Sequence, residues 1–412
     1  MKSINIIGAF DRYNYGDLLF PIIIEEYIKK YNYELIKKYK LEYYALVQSD
    51  LSKVGGKKTK ALSDLYNSKV DKGSYLIVSG GDVLAARIGN MDIDLCKSFK
   101  EMIYKKVSRK LKGIENFEKK SKSLFNIDSS FPWVVDEKSF NGNLKVIYNA
   151  VGGSTIDKLP PKDQTFIIDA MKNSSYISVR DNKSKENIVN NQFLKGEKVN
   201  RVDVAPDSAT IMSEIFTLEY LEGKISDSTK EFIKENKEYI VIQSNNASLK
   251  SGKDKELVEA LNSIGARLKC KILLLPIGFA ANHDDNIALE KVGKQLKIDY
   301  THIKENNIYD IMYLIGKGKF FAGTSLHGNI TAMSYGVPHI GLNKEIKKLD
   351  MYLSTWDLKE QNGCISFNEL NDKIDDLLKI DKDTLLRKRE ELIEKVKENF
   401  KRILALIEEN NE

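Results

Sequence analysis

Residues 3–20 read SINIIGAFDRYNYGDLLF. The run 3–7 is a short strand by its apolar content and ends at Gly8. The polar loop Asp11-Arg12-Tyr13-Asn14-Tyr15-Gly16-Asp17 follows, and a helix is predicted over about 18–31. Strand, polar loop and helix in that order open an α/β unit.

The same unit recurs along the chain. Further strands are predicted at 43–47, 75–78, 145–149, 176–179 and 201–204. The last four run into Ser79-Gly80-Gly81-Asp82, Gly152-Gly153-Ser154-Thr155, Arg180-Asp181 and Pro206-Asp207. A polar stretch at 223–228 is a candidate lobe boundary. Beyond it, strands at 239–243, 271–275 and 320–322 run into Ser244-Asn245-Asn246, Pro276-Ile277-Gly278 and Gly323-Thr324-Ser325-Leu326-His327-Gly328. A short strand ending at Gly341 follows the turn Gly336-Val337-Pro338, and a long amphipathic helix starts near Lys382.

This alternation implies an α/β fold of two Rossmann-like lobes with mostly parallel sheets. The expected division is 1–222, 223–381, and a final helix over 382–412 that packs back on the lobes. In such sheets ligands bind beyond the carboxyl ends of the strands. The strand-end loops are therefore where chemistry is sought.

An insertion at about 97–135 interrupts the pattern. Its first part, KSFKEMIYKKVSRKLKGIENFEKKSK, is strongly basic. Phe99, Ile103, Val107, Leu111 and Ile114 recur there at helical spacing. The expectation is an inserted helix packed on its own lobe. The second reading is an amphipathic helix lying on an anionic membrane face. Phe131-Pro132-Trp133 reads as an apolar flap.

The totals narrow the class of function. The chain has 412 residues, 42% hydrophobic and 30% charged, enough apolar material for two cores. A net charge of +6 is too balanced for a nucleic-acid partner and suits an anionic small substrate or a membrane surface. Cys96, Cys270 and Cys364 are far apart, which argues against a disulfide framework or zinc knuckle, and Cys270 reads as a core residue. The start MKSINIIGAF is not a secretion signal, and no run approaches 18 apolar residues. A cytoplasmic protein, free or peripheral at the inner membrane face, is expected.

Five constellations could carry chemistry. In Gly323–Gly328, Thr324 or Ser325 can cap a helix whose first turn carries His327. That helix end favours phosphate or carboxylate, and His327 can give or take a proton at a reacting oxygen. The plain alternative is a capped helix with a structural histidine. Asn14-Tyr15-Gly16-Asp17 permits a tight turn in which Asp17 caps a helix or orients an acceptor hydroxyl. Gly80-Gly81 and Gly152-Gly153 would let a ligand approach the backbone, but neither matches a dinucleotide fingerprint or a Walker loop. Arg180 ends a strand and could hold an anion, or pair with Asp181 or Asp207. His283-Asp284-Asp285 suggests helix capping and substrate contact rather than a metal, because adjacent residues point apart.

In this order the motifs resemble the polysaccharide pyruvyl transferase family. The resembling pieces are Asn14-x-Gly16-Asp17, Ser79-Gly80-Gly81, Gly152-Gly153, Ile177–Asp181 with Ser184, and Pro206-Asp207. The Asp284-Asp285 loop and Ser325-Leu326-His327-Gly328 with Gly336-Val337-Pro338 complete the set. The resemblance implies a fold similar to the GT-B glycosyltransferases. It implies phosphoenolpyruvate as donor, a free or lipid-linked saccharide of a cell-envelope or capsular glycan as acceptor, and a cyclic pyruvate ketal as product. No cofactor and no metal are implied.

On this resemblance His327 is the acid or phosphate partner, Asp17 serves the acceptor and Arg180 the anion. Asn14, Gly16, Gly80, Gly81, Gly152, Gly153, Asp207, Ser244, His283, Asp285, Thr324, Ser325, Gly328 and Lys344 are expected around the substrates. One position departs. Many members have arginine two residues before the histidine, where this chain has Ser325. Lys344 or Lys347 is the expected substitute, without arginine's bidentate fork. The departure keeps two alternatives in view: a glycosyltransferase using a nucleotide sugar, and a non-catalytic membrane-surface component of glycan assembly.

Overall fold

A computed structural model of the chain describes residues 2–140, 143–194, 199, 201–280 and 285–409. Its first sheet has eight strands: β1 (Ser3–Ile7), β2 (Lys40–Ala45), β3 (Ser49–Asp50), β4 (Lys58–Ala61), β5 (Ser74–Ser79), β6 (Leu144–Val151), β7 (Tyr176–Val179) and β8 (Val202–Val204). Their spatial order is β3-β4-β2-β1-β5-β6-β7-β8, parallel except for the β3–β4 pair. The second sheet comprises β9 (Tyr239–Gln243), β10 (Lys271–Leu274), β11 (Tyr300–His302), β12 (Phe320–Gly323), β13 (His339–Leu342) and β14 (Cys364–Ile365). Its order is β11-β10-β9-β12-β13-β14, all parallel.

Each order reverses direction once, between β1 and β5 in the first sheet and between β9 and β12 in the second. The reversal opens a crevice at the strand ends, because the connections on either side leave in opposite directions. Gly8 and Gly80 follow the first pair of strands, and Ser244 and Thr324 follow the second.

The central strands are buried along their whole length, as in β5 (SYLIVS) and β9 (YIVIQ). Their continuous apolar runs made them legible. The strand expected at 43–47 instead runs from Lys40 to Ala45, where it aligns with β1 from Ser3 onward. Its polar start holds because Glu42 pairs with Lys40 and Lys60. The outer strands β3, β11 and β14 and the next-to-edge β4 have two to four residues and no apolar run, and the sequence did not announce them.

One apolar core runs through both lobes, taking in Phe10, Leu18 and Phe20 of the first and Ile277, Phe321 and Ile330 of the second. The final helix, Lys382–Glu409, joins that core. Phe400 stacks on Tyr27 at 4.2 Å, and Tyr75 Oη donates to Leu406 O at 3.1 Å.

The insertion departs most from expectation. It is two helices, Phe99–Lys112 and Ile114–Phe125, broken at Gly113 with φ 81°. The second buries Phe117 and Phe125, whereas in the first only Met102 is buried. The expected flap is a plug, since Phe131 and Trp133 lie in the core. Among the described residues, no helix is long and apolar enough to cross a membrane.

Candidate active site

The strand ends of the two lobes meet face to face. Asn14 bridges to Gly278, Tyr15 N–H donates to Ile277 O at 3.2 Å, and Phe279 N–H donates to Tyr13 O at 3.0 Å. Tyr13 stacks on Phe279 with ring centroids 4.5 Å apart. The loop after β1 is thereby fastened to the loop after β10.

The helix Leu326–Tyr335 enters this seam from β12. Ser325 caps it, accepting from Gly328 N–H at 3.3 Å, while Ser325 N–H donates to Gln243 Oε1 at 2.9 Å. Asn329 Nδ2 donates to Gly323 O at 3.1 Å and Ser325 O at 2.8 Å. The cap occupies an N–H that a helix start leaves orphaned, and the Asn329 bonds tie the loop to the first turn. Thr331 Oγ1 donates to His327 O at 2.6 Å and shares a 2.8 Å hydrogen bond with Tyr15 Oη of the opposite lobe.

His327 therefore lies across the seam. Its ring sits edge-on to Phe20, with centroids 5.4 Å apart, and against Gly16, where a Cβ would fall within the imidazole. Nε2 is 3.7 Å from Asp207 Oδ2, and Arg180 Nη1 is 3.2 Å from the same oxygen. The 3.7 Å separation is too long for a hydrogen bond. Asp207 is fully buried, and burial alone would raise its pKa. His327 and Arg180 overcome that effect and hold the carboxyl below its ordinary value. Asp207 Oδ1 accepts from Ala209 N–H at 3.0 Å, which fixes the carboxylate plane.

Gly16 is required at this contact by space rather than by backbone angle. Gly16→Ala should displace the imidazole and lower turnover about 10²-fold, the scale for a catalytic group misplaced by about 1 Å. Turnover and substrate KM of the alanine variant test this, and unchanged values would show that the ring does not need its seat on Gly16.

Arg180 takes the second of its two sequence readings, the pair with Asp207. Its side chain is only 3% exposed and faces Asp207 rather than open space. Gly152 and Gly81 make room for it: a Cβ at Gly152 would lie 2.9 Å from Nε, and one at Gly81 3.3 Å from Nη1. What approaches these glycines is the guanidinium, not a ligand. Gly80, at φ 137°, takes a backbone angle that glycine adopts readily. Gly153 N–H donates to Ser184 Oγ at 2.8 Å. Trp356 Nε1 donates to Arg180 O at 2.7 Å, and Asp207 N–H donates to Tyr352 Oη at 3.1 Å. Trp356 and Tyr352 have no local sequence signal, because they reach the cluster from a helix about 150 residues further along the chain.

Asp17 lies beside the seam, inside the first turn of the helix Tyr15–Tyr31, whose cap position is Asn14. Asn14 Nδ2 donates to Asp17 Oδ2 at 2.9 Å, and Arg12 Nη2 is 3.9 Å from that oxygen. Arg12, Tyr13, Phe99 and Phe279 help line a cavity of about 860 Å³ shared by both lobes. A second cavity, about 690 Å³, opens between Asp82 and Thr155 at the strand ends and Lys106, Arg109 and Lys110 of the insertion. Arg180, Asp207 and His327 line neither cavity. Burying three ionisable groups together is costly, which makes the charged cluster a candidate site apart from the open space.

A family model described as polysaccharide pyruvyl transferase matches residues 14–344, most of the chain. The chain belongs to this family. Membership makes it a transferase.

Solved structures agree on the fold. UDP-GlcNAc 2-epimerase from Methanocaldococcus jannaschii, in complex with UDP-GlcNAc and UDP, aligns with TM-score 0.53 and 13% identity over 93% of this chain and 94% of that one. The Neisseria meningitidis enzyme bound to UDP-GlcNAc gives 0.51 and 13% over 98% and 100%. At such identity the likeness shows architecture alone, the two Rossmann-like lobes of the GT-B type. No curated protein matches the sequence.

In this pyruvyl transferase family member the second-lobe candidates divide. Thr324 Oγ1 donates to Gln243 Oε1 at 3.3 Å and stays with the His327 loop. Ser244 is fully buried at the end of β9. Asp285 Oδ2 accepts from Gln243 Nε2 at 2.9 Å and from the N–H groups of Ile277 and Gly278 at 3.0 Å each. It braces the loop that meets Asn14. Lys344 does not join the group, because Glu369 holds its ammonium at 2.7 Å on the surface. It does not replace the arginine missing at Ser325. His283 lies outside the described residues. Gln243 is the residue that sequence reasoning missed, although a glutamine closing the apolar run YIVI was its signal.

Proposed function

We propose that this transferase moves the pyruvyl group of phosphoenolpyruvate onto two hydroxyls of one sugar in a cell-envelope or capsular glycan. The family match supports the reaction class. The observation that carries the reading is His327 beside the buried Asp207–Arg180 pair, at the start of a helix on the lobe seam.

The chemistry needs a proton on the enol methylene carbon, which His327 supplies. The carbon bearing the phosphate becomes cationic, and a sugar hydroxyl attacks it while losing its proton. Asp17, oriented by Asn14, takes that proton. Phosphate then leaves, and a second hydroxyl closes the ketal with loss of its own proton. Gly16 and Phe20 seat the imidazole beside Asp207, and Arg180 helps keep Asp207 ionised. The helix N-terminus favours the donor's anionic groups. Ser325 brings no charge there, which leaves the helix N-terminus to favour the anion.

Ser325 also favours a second reading, a glycosyltransferase with a nucleotide-sugar donor. Thermal shift against phosphoenolpyruvate, UDP, CMP and GDP separates the two. A ligand at about a hundred times its Kd adds roughly 2.7 kcal/mol, which is readily seen. Phosphoenolpyruvate should raise the Tm. A shift with one nucleotide and none with phosphoenolpyruvate would replace the pyruvyl donor by a nucleotide sugar.

A further inference from the structure

The helix Phe99–Lys112 packs on the protein through buried Met102 and two polar anchors. Lys105 Nζ is 2.8 Å from Asp92 Oδ1, and Arg109 Nη1 donates to Asn90 Oδ1 at 2.6 Å. Its apolar side faces solvent. Phe99 is 61% exposed and Leu111 80%, with Ile103 and Val107 exposed between them. The stripe that helical spacing would send to a core is turned outward, the reverse of a surface helix in a globular domain. Within this helix six basic residues stand against one acidic residue, Glu101.

We infer that the outward face of Phe99–Lys112 docks on an anionic lipid bilayer. An apolar stripe with basic flanks is the chemistry that inserts between acyl chains while pairing with acidic headgroups. A second copy of the chain fits worse, because the same patch on two copies would set one basic helix against another. The neighbouring helix Ile114–Phe125 buries Phe117 and Phe125 and anchors the insertion, so the outward face is presented from a fixed base. Lys106 and Arg109, on the inner edge of the docking helix, line the cavity beside Asp82 and Thr155. Docking would set that cavity at the bilayer surface, within reach of an acceptor carried on a lipid; this last step rests on the pyruvyl-transfer reading.

The test is sedimentation of the full chain with vesicles of phosphatidylcholine alone or mixed with phosphatidylglycerol, without substrates. Its outcome is thus independent of the proposed reaction. The wild-type chain should bind the mixed vesicles, and added salt should weaken it. Val107→Asp/Leu111→Asp should bind about tenfold more weakly or less, since it places two anions on the docking face. Both positions are exposed, and circular dichroism and the Tm confirm that the variant is folded. Equal binding of variant and wild type, or no preference for the anionic vesicles, overturns the inference. So does concentration-dependent self-association that the variant abolishes in a chain that ignores vesicles, which would assign the face to a second copy.

Discussion

His327→Ala should lower turnover by about 10²- to 10⁴-fold, the usual contribution of a positioned proton donor, and leave the chain folded. The imidazole bridges the lobes, yet the apolar core around it is built from Phe10, Leu18, Phe20 and Ile330, which the substitution leaves in place. Asp207 keeps its ion pair with Arg180 and its hydrogen bond from Ala209 N–H, so no bare charge is created. His327→Gln preserves size and hydrogen bonding but cannot transfer a proton, and should lose nearly as much. Single-turnover product formation, with the donor identified by thermal shift, measures both. Near-normal turnover in the alanine variant would remove His327 from the chemistry. Recovery in the glutamine variant would reduce it to a packing residue.

Arg180→Met should destabilise the fold by about 3–5 kcal/mol, the cost of leaving one member of a buried pair without its partner. The substitution keeps an unbranched apolar stem but ends near the position of Nε, so it removes the guanidinium seated against Gly81 and Gly152 together with its charge and hydrogen bonds. The pH dependence follows from Asp207, whose pKa is depressed in the folded chain. A depressed carboxyl contributes stability that is present above its unfolded pKa, about 3.9, and is lost as pH falls through its folded value. The stability difference between wild type and Arg180→Met should therefore be largest near neutrality and shrink below about pH 4. Adding Asp207→Asn to Arg180→Met removes the stranded charge and should restore part of the loss. Urea midpoints across pH decide the matter. A difference that does not change with pH, or a double variant weaker than Arg180→Met, would show that the pair is not a buried ionic contact.

Several of the sequence expectations failed where a side chain's partner is chosen by tertiary packing rather than by the local pattern. The glycines at 81 and 152 read as openings for a ligand, but the structure fills them with Arg180. Lys344 was placed correctly after β13 and then captured by Glu369, which the strand pattern does not mention. Periodicity marked Phe99, Ile103, Val107 and Leu111 as one face of a helix and did not say which way that face turns. The inner side was decided by Asp92 and Asn90, polar anchors with no periodic signature.

The amino-acid sequence by itself determined the alternation of strands and helices and the loops in which polar residues follow a buried strand. Those features are local, since a run of β-branched and aliphatic residues ending in glycine or serine carries its own period and its own stop. Asn14, Arg180, Asp207 and His327 were legible as candidates because they stand in the loops after such stops. Only the tertiary structure decided that Arg180, Asp207 and His327 share one carboxylate oxygen, and that Gly16 is the floor under the imidazole. Their convergence depends on the reversal of strand order in each sheet and on the closure of one lobe against the other. Both are set by packing between segments distant in the sequence, and no local period records them.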